Sequence, residues 1–95
     1  MPAYVIVNIE VTDPQRYQEY IKEAPGTIAR FGGRYLARGG RTERLEGEWD
    51  PKRFVVLEFP TYERAREWWA SEEYAGPKAL RQACARASMI VVEGL

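Results

Sequence analysis

Glu58 is the carboxylate whose place in the sequence most needs a chemical explanation. It interrupts RFVVLEF, residues 53–59, in which five of the seven residues are apolar. We expect such a strand to be covered by helices on one face and by a second copy of the chain on the other, where a carboxylate must be paired or neutralised. Two interpretations stay open: a general acid/base or ligand anchor held by Arg38, Arg53 or Arg81, and a structural ion pair at a strand end.

A second carboxylate, Glu10, lies near the end of the first predicted strand. If the first and third strands run parallel as neighbours, Glu10 and Glu58 approach the same end of the sheet. Two carboxylates at one site suit general acid/base catalysis. Acidic side chains at strand ends are more often simply solvated, so both interpretations are kept.

Two consecutive glycines lie between two arginines in the segment Arg38-Gly39-Gly40-Arg41. Glycines let backbone N–H groups approach a ligand, and arginine binds a carboxylate through two parallel hydrogen bonds, so this segment could cradle an anion. The same glycines would also serve only to turn the chain after a short strand. The segment matches neither a phosphate-binding loop nor the glycine pattern that binds dinucleotides.

Two adjacent tryptophans, Trp68 and Trp69, cannot both point into one core from a helix. One of them is therefore expected to line a cleft, an interface or the surface. With three further aromatic residues they would form a wall for a planar or apolar molecule, or else ordinary packing: Trp49, Phe54 and Tyr74. Arg81, on the last predicted helix, either reaches over such a pocket or is a plain surface residue.

Histidine is absent and Cys84 is the one cysteine. These counts exclude histidine-based nucleophiles, imidazole-bound metals, internal disulfides and paired-cysteine redox sites. Cys84 is expected to be a small buried hydrophobe. The acids Glu46, Glu48 and Asp50 alternate in a loop and could ligate a hard cation, but without a tight frame they are typical of a solvated turn. We expect no metal and no cofactor.

The composition is that of one small globular domain. The 95 residues carry 14 basic and 14 acidic side chains, and 45% of them are hydrophobic. We expect a single domain over residues 1–95. Zero net charge argues against nucleic acid as a partner. No apolar run approaches the roughly 18 residues that span a membrane, and no basic leader precedes the first strand, so we expect a cytoplasmic protein with no membrane partner.

The first half of the chain predicts a strand, a helix and a short second strand. Residues 3–11 alternate and are rich in β-branched side chains. Asp13 and Pro14 predict a helix start. Pro25 with Gly26 is expected to interrupt this helix, with Thr27 capping a continuation, so that the helix is long and kinked.

The second half predicts a strand, two helical segments and a closing strand. After a polar loop at 41–52 comes the third strand at 53–59, and Thr61 can cap the second helix. In that helix Tyr62, Ala65 and Trp69 are expected to share a face. Pro77 is expected to open a further helical turn or two through Leu80 and Cys84, and the last strand is predicted at 87–93.

This β-α-β-β-α-β order predicts an α+β, ferredoxin-like sandwich: a four-stranded antiparallel sheet with the helices on one face. The other face would then be bare, and it carries apolar residues. Since burial contributes about 25 cal/mol per Å², covering a sheet face of several hundred Å² would stabilise an assembly by many kcal/mol. We therefore predict a homodimer formed through the sheet face.

Five segments follow one another in order: FGGRYLARGG at 31–40, LEGEW at 45–49, RFVVLEFP at 53–60, AREWWASEEY at 65–74 and VVEG at 91–94. With the order of elements they resemble the DUF1330 family, a domain family of unknown function within the dimeric α+β-barrel superfamily. The resemblance implies a ferredoxin-like protomer whose sheet packs against that of its mate. The superfamily includes cofactor-free monooxygenases, lactone isomerases and haem enzymes, but this chain lacks the histidine that binds haem and the one that YCII-like relatives carry.

Three hypotheses about function follow. In the first, a homodimeric binding protein holds a small aromatic or carboxylate-bearing molecule between sheet and helices, through Arg38, Arg53, Trp68, Tyr74 and Arg81. In the second, a cofactor-independent isomerase or monooxygenase-like enzyme uses Glu58 as acid/base, which rests on analogy of fold. In the third, the chain is a structural interaction module without a ligand, which predicts a filled interface between sheet and helices.

Overall fold

The computed structural model describes residues 1–95 and contains four strands and three helices. In chain order they are β1 (Ala3–Val11), α1 (Pro14–Arg30), β2 (Arg34–Arg38), β3 (Arg53–Phe59), α2 (Tyr62–Ala70), α3 (Glu72–Cys84) and β4 (Ala85–Glu93). The strands form one sheet in the order β2-β3-β1-β4, and every neighbouring pair is antiparallel. The predicted ferredoxin-like α+β fold is confirmed.

Alternation along the two central strands decides which side chains enter the core. In β1 the odd-numbered residues Val5, Val7 and Ile9 are buried beneath the helices, and in β3 Val55 and Leu57 are buried with them. The even-numbered residues of both strands lie on the opposite face, which we call the open face. The core is therefore one layer between the sheet and the three helices.

The prediction that the first and third strands run parallel is wrong. A right-handed β-α-β crossover makes β1 parallel to β2, and the turn between β2 and β3 reverses the chain, so β3 runs antiparallel to β1. Glu58 therefore lies opposite Tyr4, whereas Glu10 lies opposite Arg86 at the other end of the sheet. The two carboxylates cannot form one site within a protomer.

Helix α1 begins where the sequence predicts but is not interrupted where it predicts. The Asp13 carboxylate accepts a hydrogen bond from the backbone N–H of Arg16, and Pro14 opens the first turn. The helix then continues through Pro25 to Arg30. Thr27 is not a cap, because its hydroxyl donates to the backbone carbonyl of Ala24 within the helix.

Ser71 joins helices α2 and α3 by ending one and starting the other. Its backbone N–H donates to the carbonyl of Trp68 in the last turn of α2. Its hydroxyl oxygen accepts from the backbone N–H of Tyr74 in the first turn of α3, and two acidic residues follow it there, Glu72 and Glu73. The short connection places α2 and α3 side by side, next to strand β4.

Strand β2 contains an irregularity that the sequence does not indicate. Tyr35 lies opposite Leu57, but the next paired residue is Ala37, opposite Val56, so Leu36 is an extra residue in the pairing. Arg38 consequently lies opposite Val55, on the helix side of the sheet.

The loop after β2, residues 39–52, has no regular structure and is held against the open face by one side chain of β1. The Asn8 amide donates to the backbone carbonyl of Asp50 and its carbonyl oxygen accepts from the backbone N–H of Lys52. Trp49 packs edge-on against Phe54, with ring centroids 5.3 Å apart.

The remainder of the open face is apolar and uncovered in the protomer. Ile90 and Val92 are exposed, and Tyr4, Ile6, Phe54 and Val56 are half-buried. None of the helices has both the length and the apolar character needed to cross a lipid bilayer.

Candidate functional site

The largest concavity is a cleft of about 920 Å³ that α2, α3 and the edge strand β4 enclose. Its lining is mostly hydrophobic and includes Val5, Ala65, Trp68, Trp69, Met89, Ile90 and Val91. The charged lining residues are Glu63, Arg66, Glu67 and Arg81. A cleft of this size with apolar walls and few charges is typical of small-molecule sites.

Arg81 is the buried cation of this cleft. It is 5% exposed, the one charged residue among the buried side chains. Its Nε donates to the hydroxyl of Tyr74 at 3.4 Å, and it takes part in none of the three ion pairs of the structure. Arginine has five N–H donors, and this guanidinium lines the cleft without an ion-pair partner.

Trp68 forms the inner wall of the cleft. It is 1% exposed, stacks on Tyr74 with ring centroids 4.1 Å apart, and packs against Phe59. Its indole N–H donates to the Thr27 hydroxyl at 3.0 Å, so its one polar group is satisfied inside the core.

Trp69 points the other way, contrary to the helical face predicted from the sequence. It is 45% exposed, and the Lys78 ammonium lies 3.8 Å from its ring centroid. The buried stripe of α2 is Ala65 with Trp68. Trp69 still lines the outer part of the cleft.

Two buried tyrosines, Tyr20 and Tyr74, form a hydrogen-bonded pair next to Arg81. The hydroxyls of Tyr20 and Tyr74 lie 2.7 Å apart, which links α1 to α3 inside the core. Burial raises the pKa of Tyr20 well above the ordinary tyrosine value, and the neighbouring Tyr74 adds to the rise. Tyr20 is therefore neutral throughout the physiological range and acts as a hydrogen-bonding group rather than as a charge.

This pKa shift predicts a loss of stability at alkaline pH. Below about pH 10 the tyrosine is neutral in both the folded and unfolded states, but above it only the unfolded chain releases the proton, so the free energy of unfolding falls as pH rises. Tyr20→Phe should reduce this alkaline slope, measured by urea unfolding between about pH 8 and pH 11. Tyr62→Phe, at a half-exposed position, serves as the control. An unchanged slope in Tyr20→Phe would contradict the assignment.

A second, much smaller cavity of about 30 Å³ lies between α1 and the sheet. Arg38 and Arg53 line it together with Tyr17, Tyr20 and Tyr35, and Trp68 and Met89 contribute to the linings of both this cavity and the large cleft. The five residues predicted to bind ligand are therefore not brought together in one pocket. Two arginines lie at the small cavity, and Arg81, Trp68 and Tyr74 lie at or directly behind the large cleft.

Glu58 lies on the open face and adjoins neither cavity. Its carboxylate forms an ion pair with Arg34, with 2.6 Å between Nη2 and Oε1, and also accepts from the Nε of Arg34. The expected partners Arg38, Arg53 and Arg81 were wrong, because pairing of β2 with β3 places Arg34 directly opposite Glu58. The carboxylate is 22% exposed and its partner 71% exposed.

The aromatic residues separate into two groups on opposite sides of the sheet. Trp68 and Tyr74 stack within the core, whereas Trp49 and Phe54 pack together on the open face. A single pocket walled by all of them therefore does not exist within a protomer.

The remaining reactive groups of the sequence are engaged in ordinary contacts. Cys84 is buried, and burial raises the pKa of its thiol, which disfavours the nucleophilic thiolate. In the acidic loop Asp50 pairs with Lys52.

Sequence reasoning missed Tyr20 and Thr27 as polar contacts of the site. Nothing in the sequence indicates that the Tyr20 hydroxyl meets that of Tyr74, 54 residues away.

A family model described as "Domain of unknown function (DUF1330)" matches residues 2–95. The chain belongs to the DUF1330 family. No curated protein matches it in sequence.

Several solved structures share the fold of this DUF1330 chain. RPA0582, a protein of unknown function from Rhodopseudomonas palustris, superposes with a TM-score of 0.79 at 18% identity, covering 99% of this chain and 82% of that one. A dimeric ferredoxin-like protein of unknown function from Jannaschia sp. CCS1 gives 0.71 at 13% identity, covering 99% and 100%. SnoaB, a cofactor-independent oxygenase from Streptomyces nogalater, gives 0.69 at 11% identity, covering 99% and 93%.

Proposed function

We propose that this DUF1330 protein binds a small molecule that combines a carboxylate with an apolar or aromatic body, in the cleft between α2, α3 and β4. The single observation that carries the proposal is Arg81, a buried cation that lines the cleft and has no acidic partner. A buried charge without a partner is costly, and a bound carboxylate would remove that cost.

The geometry around Arg81 suits a carboxylate. Its Nε is directed at Tyr74, whose hydroxyl is fixed in turn by Tyr20. The guanidinium is thus oriented by the core before a ligand arrives, which reduces the entropy lost on binding. Charge-assisted, two-pronged hydrogen bonds from arginine to a carboxylate are among the strongest available to a protein.

The rest of the cleft suits an apolar body. The buried Trp68 closes the inner end of the cleft, Met89 and Val91 line the sheet side, and Trp69 lies toward the solvent. Methionine and aromatic side chains adapt well to planar organic molecules. Glu63 and Glu67 at the same cleft disfavour ligands with several negative charges.

Arg81→Gln should abolish the stabilisation of the protein by aromatic carboxylates. A ligand present at 100 times its dissociation constant raises the free energy of unfolding by about 2.7 kcal/mol, so benzoate, phenylacetate and indole-3-acetate can be screened by thermal shift. The matching amides, which lack the charge, should stabilise the parent protein far less. Arg81→Lys, which keeps the charge but loses the planar fork, should retain only part of the effect.

The control for that experiment is Arg30→Gln, at an exposed position at the end of α1. It removes the same charge without touching the cleft, so its thermal shifts should equal those of the parent. Equal shifts in the parent and in Arg81→Gln would refute the proposed site.

We further propose that the protein is a homodimer in which the open face of one protomer packs against that of another. The support is the uncovered apolar surface around Ile90 and Val92, together with the fold shared with a dimeric ferredoxin-like protein. This arrangement would also bury Trp49, which is 64% exposed in the protomer.

A second candidate function is cofactor-independent catalysis with Glu58 as acid/base. It is supported by the fold shared with SnoaB, a cofactor-independent oxygenase. Since Glu58 lies on the open face, a substrate would have to reach it between two protomers. Glu58→Gln should leave ligand binding at Arg81 unchanged, because no shared cavity connects them.

A further inference from the structure

We propose that Arg53 and Arg38 form a second anion site, separate from the cleft, which takes a single carboxylate or phosphate group at the narrow cavity between α1 and the sheet. The site is independent of the proposed ligand at Arg81. It rests on a hydrogen-bond donor that has no acceptor, on two neighbouring arginines that form no ion pair, and on the size of the cavity.

The unpaired donor is the Nε of Arg53. It is the one buried side-chain nitrogen or oxygen atom in the structure that has no hydrogen-bond partner. Buried polar groups are almost always paired, with protein, water or a ligand, so an orphan of this kind marks a place where a partner fits. The partner must be an acceptor, because arginine only donates.

The two guanidinium groups are positioned by aromatic rings rather than by acids. That of Arg38 lies 4.6 Å from the ring centroid of Tyr35, and that of Arg53 lies 5.8 Å from the ring centroid of Tyr17. Neither arginine forms an ion pair. Two like charges at one small cavity repel each other. An anion between them would be attracted to both guanidinium groups, and this attraction would outweigh their repulsion.

Gly39 contributes the space that Arg53 occupies. A side-chain carbon at this position would collide with Nη1 of Arg53 and come within 2.8 Å of its central carbon. Gly39 also has a positive φ of 67°, which suits glycine, and its N–H is bonded to the carbonyl of Phe54. The turn is therefore shaped to fit the guanidinium closely.

The size of the cavity limits what can bind. About 30 Å³ admits one or two atoms of the size of water, so one oxygen of an oxyanion can enter the cavity that Arg53 lines. The rest of the group would remain at the entrance beside Arg38, which is exposed. An aromatic body does not fit, and this separates the ligand class from that of the large cleft.

The test follows the arginine Nε–H resonances of the ¹⁵N-labelled protein by NMR during titration with sodium acetate or sodium phosphate. Sodium chloride at the same ionic strength is the reference. The Arg53 resonance should shift and saturate with acetate, with phosphate or with both, and which of them saturates tells carboxylate from phosphate. Arg38→Gln should raise the dissociation constant obtained from the saturable shift by about tenfold, as expected for the loss of one charge-assisted hydrogen bond.

Glycine variants provide a matched comparison at the same turn. Gly39→Ala should displace Arg53 and abolish the saturable shift, whereas Gly40→Ala, with no atom within 4 Å of the added carbon, should preserve it. If Gly39→Ala fails to fold, Arg53→Lys tests the same point, because it keeps the charge and loses the Nε donor. The Nε–H resonance of Arg38 is then followed instead, and its saturable shift should be lost.

Two results would overturn this site: an Arg53 resonance that does not move, or one that moves equally with chloride. Arg81→Gln separates this inference from the proposed function. It should leave the acetate or phosphate response intact while it removes binding of aromatic carboxylates, and either site can fail without the other.

Discussion

Replacing Trp68 by alanine should lower the free energy of unfolding by about 4 kcal/mol, the largest effect we expect from a single substitution in this chain. The indole is 1% exposed and packs between Phe59 and Tyr74. Its removal leaves a cavity where several core residues meet, and it leaves the Thr27 hydroxyl without its donor. Urea unfolding followed by circular dichroism measures the change, and since small domains are stable by only about 5–15 kcal/mol, Trp68→Ala should be close to unfolding.

The adjacent residue provides the control. Trp69→Ala removes the same side chain from the same helix, but Trp69 is 45% exposed and its main partner is a lysine. It should cost less than about 1 kcal/mol. Trp68→Phe, which keeps an aromatic ring but loses the hydrogen bond to Thr27, should fall between them. Equal losses for Trp68→Ala and Trp69→Ala would mean that the assigned orientations of the two rings are wrong.

Val56→Lys should convert the proposed homodimer into a monomer. Val56 lies on β3 near the centre of the open face, opposite Ile6 of β1. Two such faces in contact would place two buried charges close together, and the cost of burying unpaired charge exceeds what an interface of ordinary size recovers. Size-exclusion chromatography with light scattering should show the parent at twice the 11.0 kDa protomer mass and the variant at that mass.

Gln18→Lys is the control for the dimer experiment. It places the same charge at an exposed position of α1, on the helix side of the protomer, and should leave the mass of the assembly unchanged. Circular dichroism establishes that both variants are folded. A parent protein that elutes as a monomer at micromolar concentration would contradict the dimer, and so would a Val56→Lys variant that remains dimeric.

The elements of the fold were predictable because each carries a local physical signal. Alternating β-branched residues indicated β1, an Asp-Pro pair indicated the start of α1, and Thr61 indicated that of α2; these signals need no knowledge of the rest of the chain. Pro25 misled, since a proline is usually a break, yet α1 continues through it.

Side-chain partners were much harder to predict, because they depend on register between distant segments. The chain offers fourteen basic residues, and only the pairing of β2 with β3 selects Arg34 for Glu58. The orientation of β3 against β1, unlike the side-chain partners, follows from the order of the elements. Because the chain reverses direction between β2 and β3, the antiparallel pairing of β3 with β1 could have been deduced from the sequence.

The candidate site was predictable residue by residue but not as an arrangement. Trp68 and Arg81 were recognised as candidates from their places on helices, and both line the large cleft. Their separation from Arg38 and Arg53 depends on Trp68 filling the space between the two cavities, and no local pattern reports how a core is filled.

The extra residue in strand β2 determines the side of the sheet to which a positive charge belongs. If Leu36 were paired regularly with Val56, the following residues would move by one position, and Arg38 would lie opposite Phe54 on the open face instead of opposite Val55. The bulge at Leu36, rather than any property of the arginine itself, thus determines whether this charge lies at a cavity or at a proposed interface. Deleting Leu36 would remove the bulge and still leave Arg38 opposite Val55, so the irregular pairing, and not the length of the strand, places this charge on the helix side.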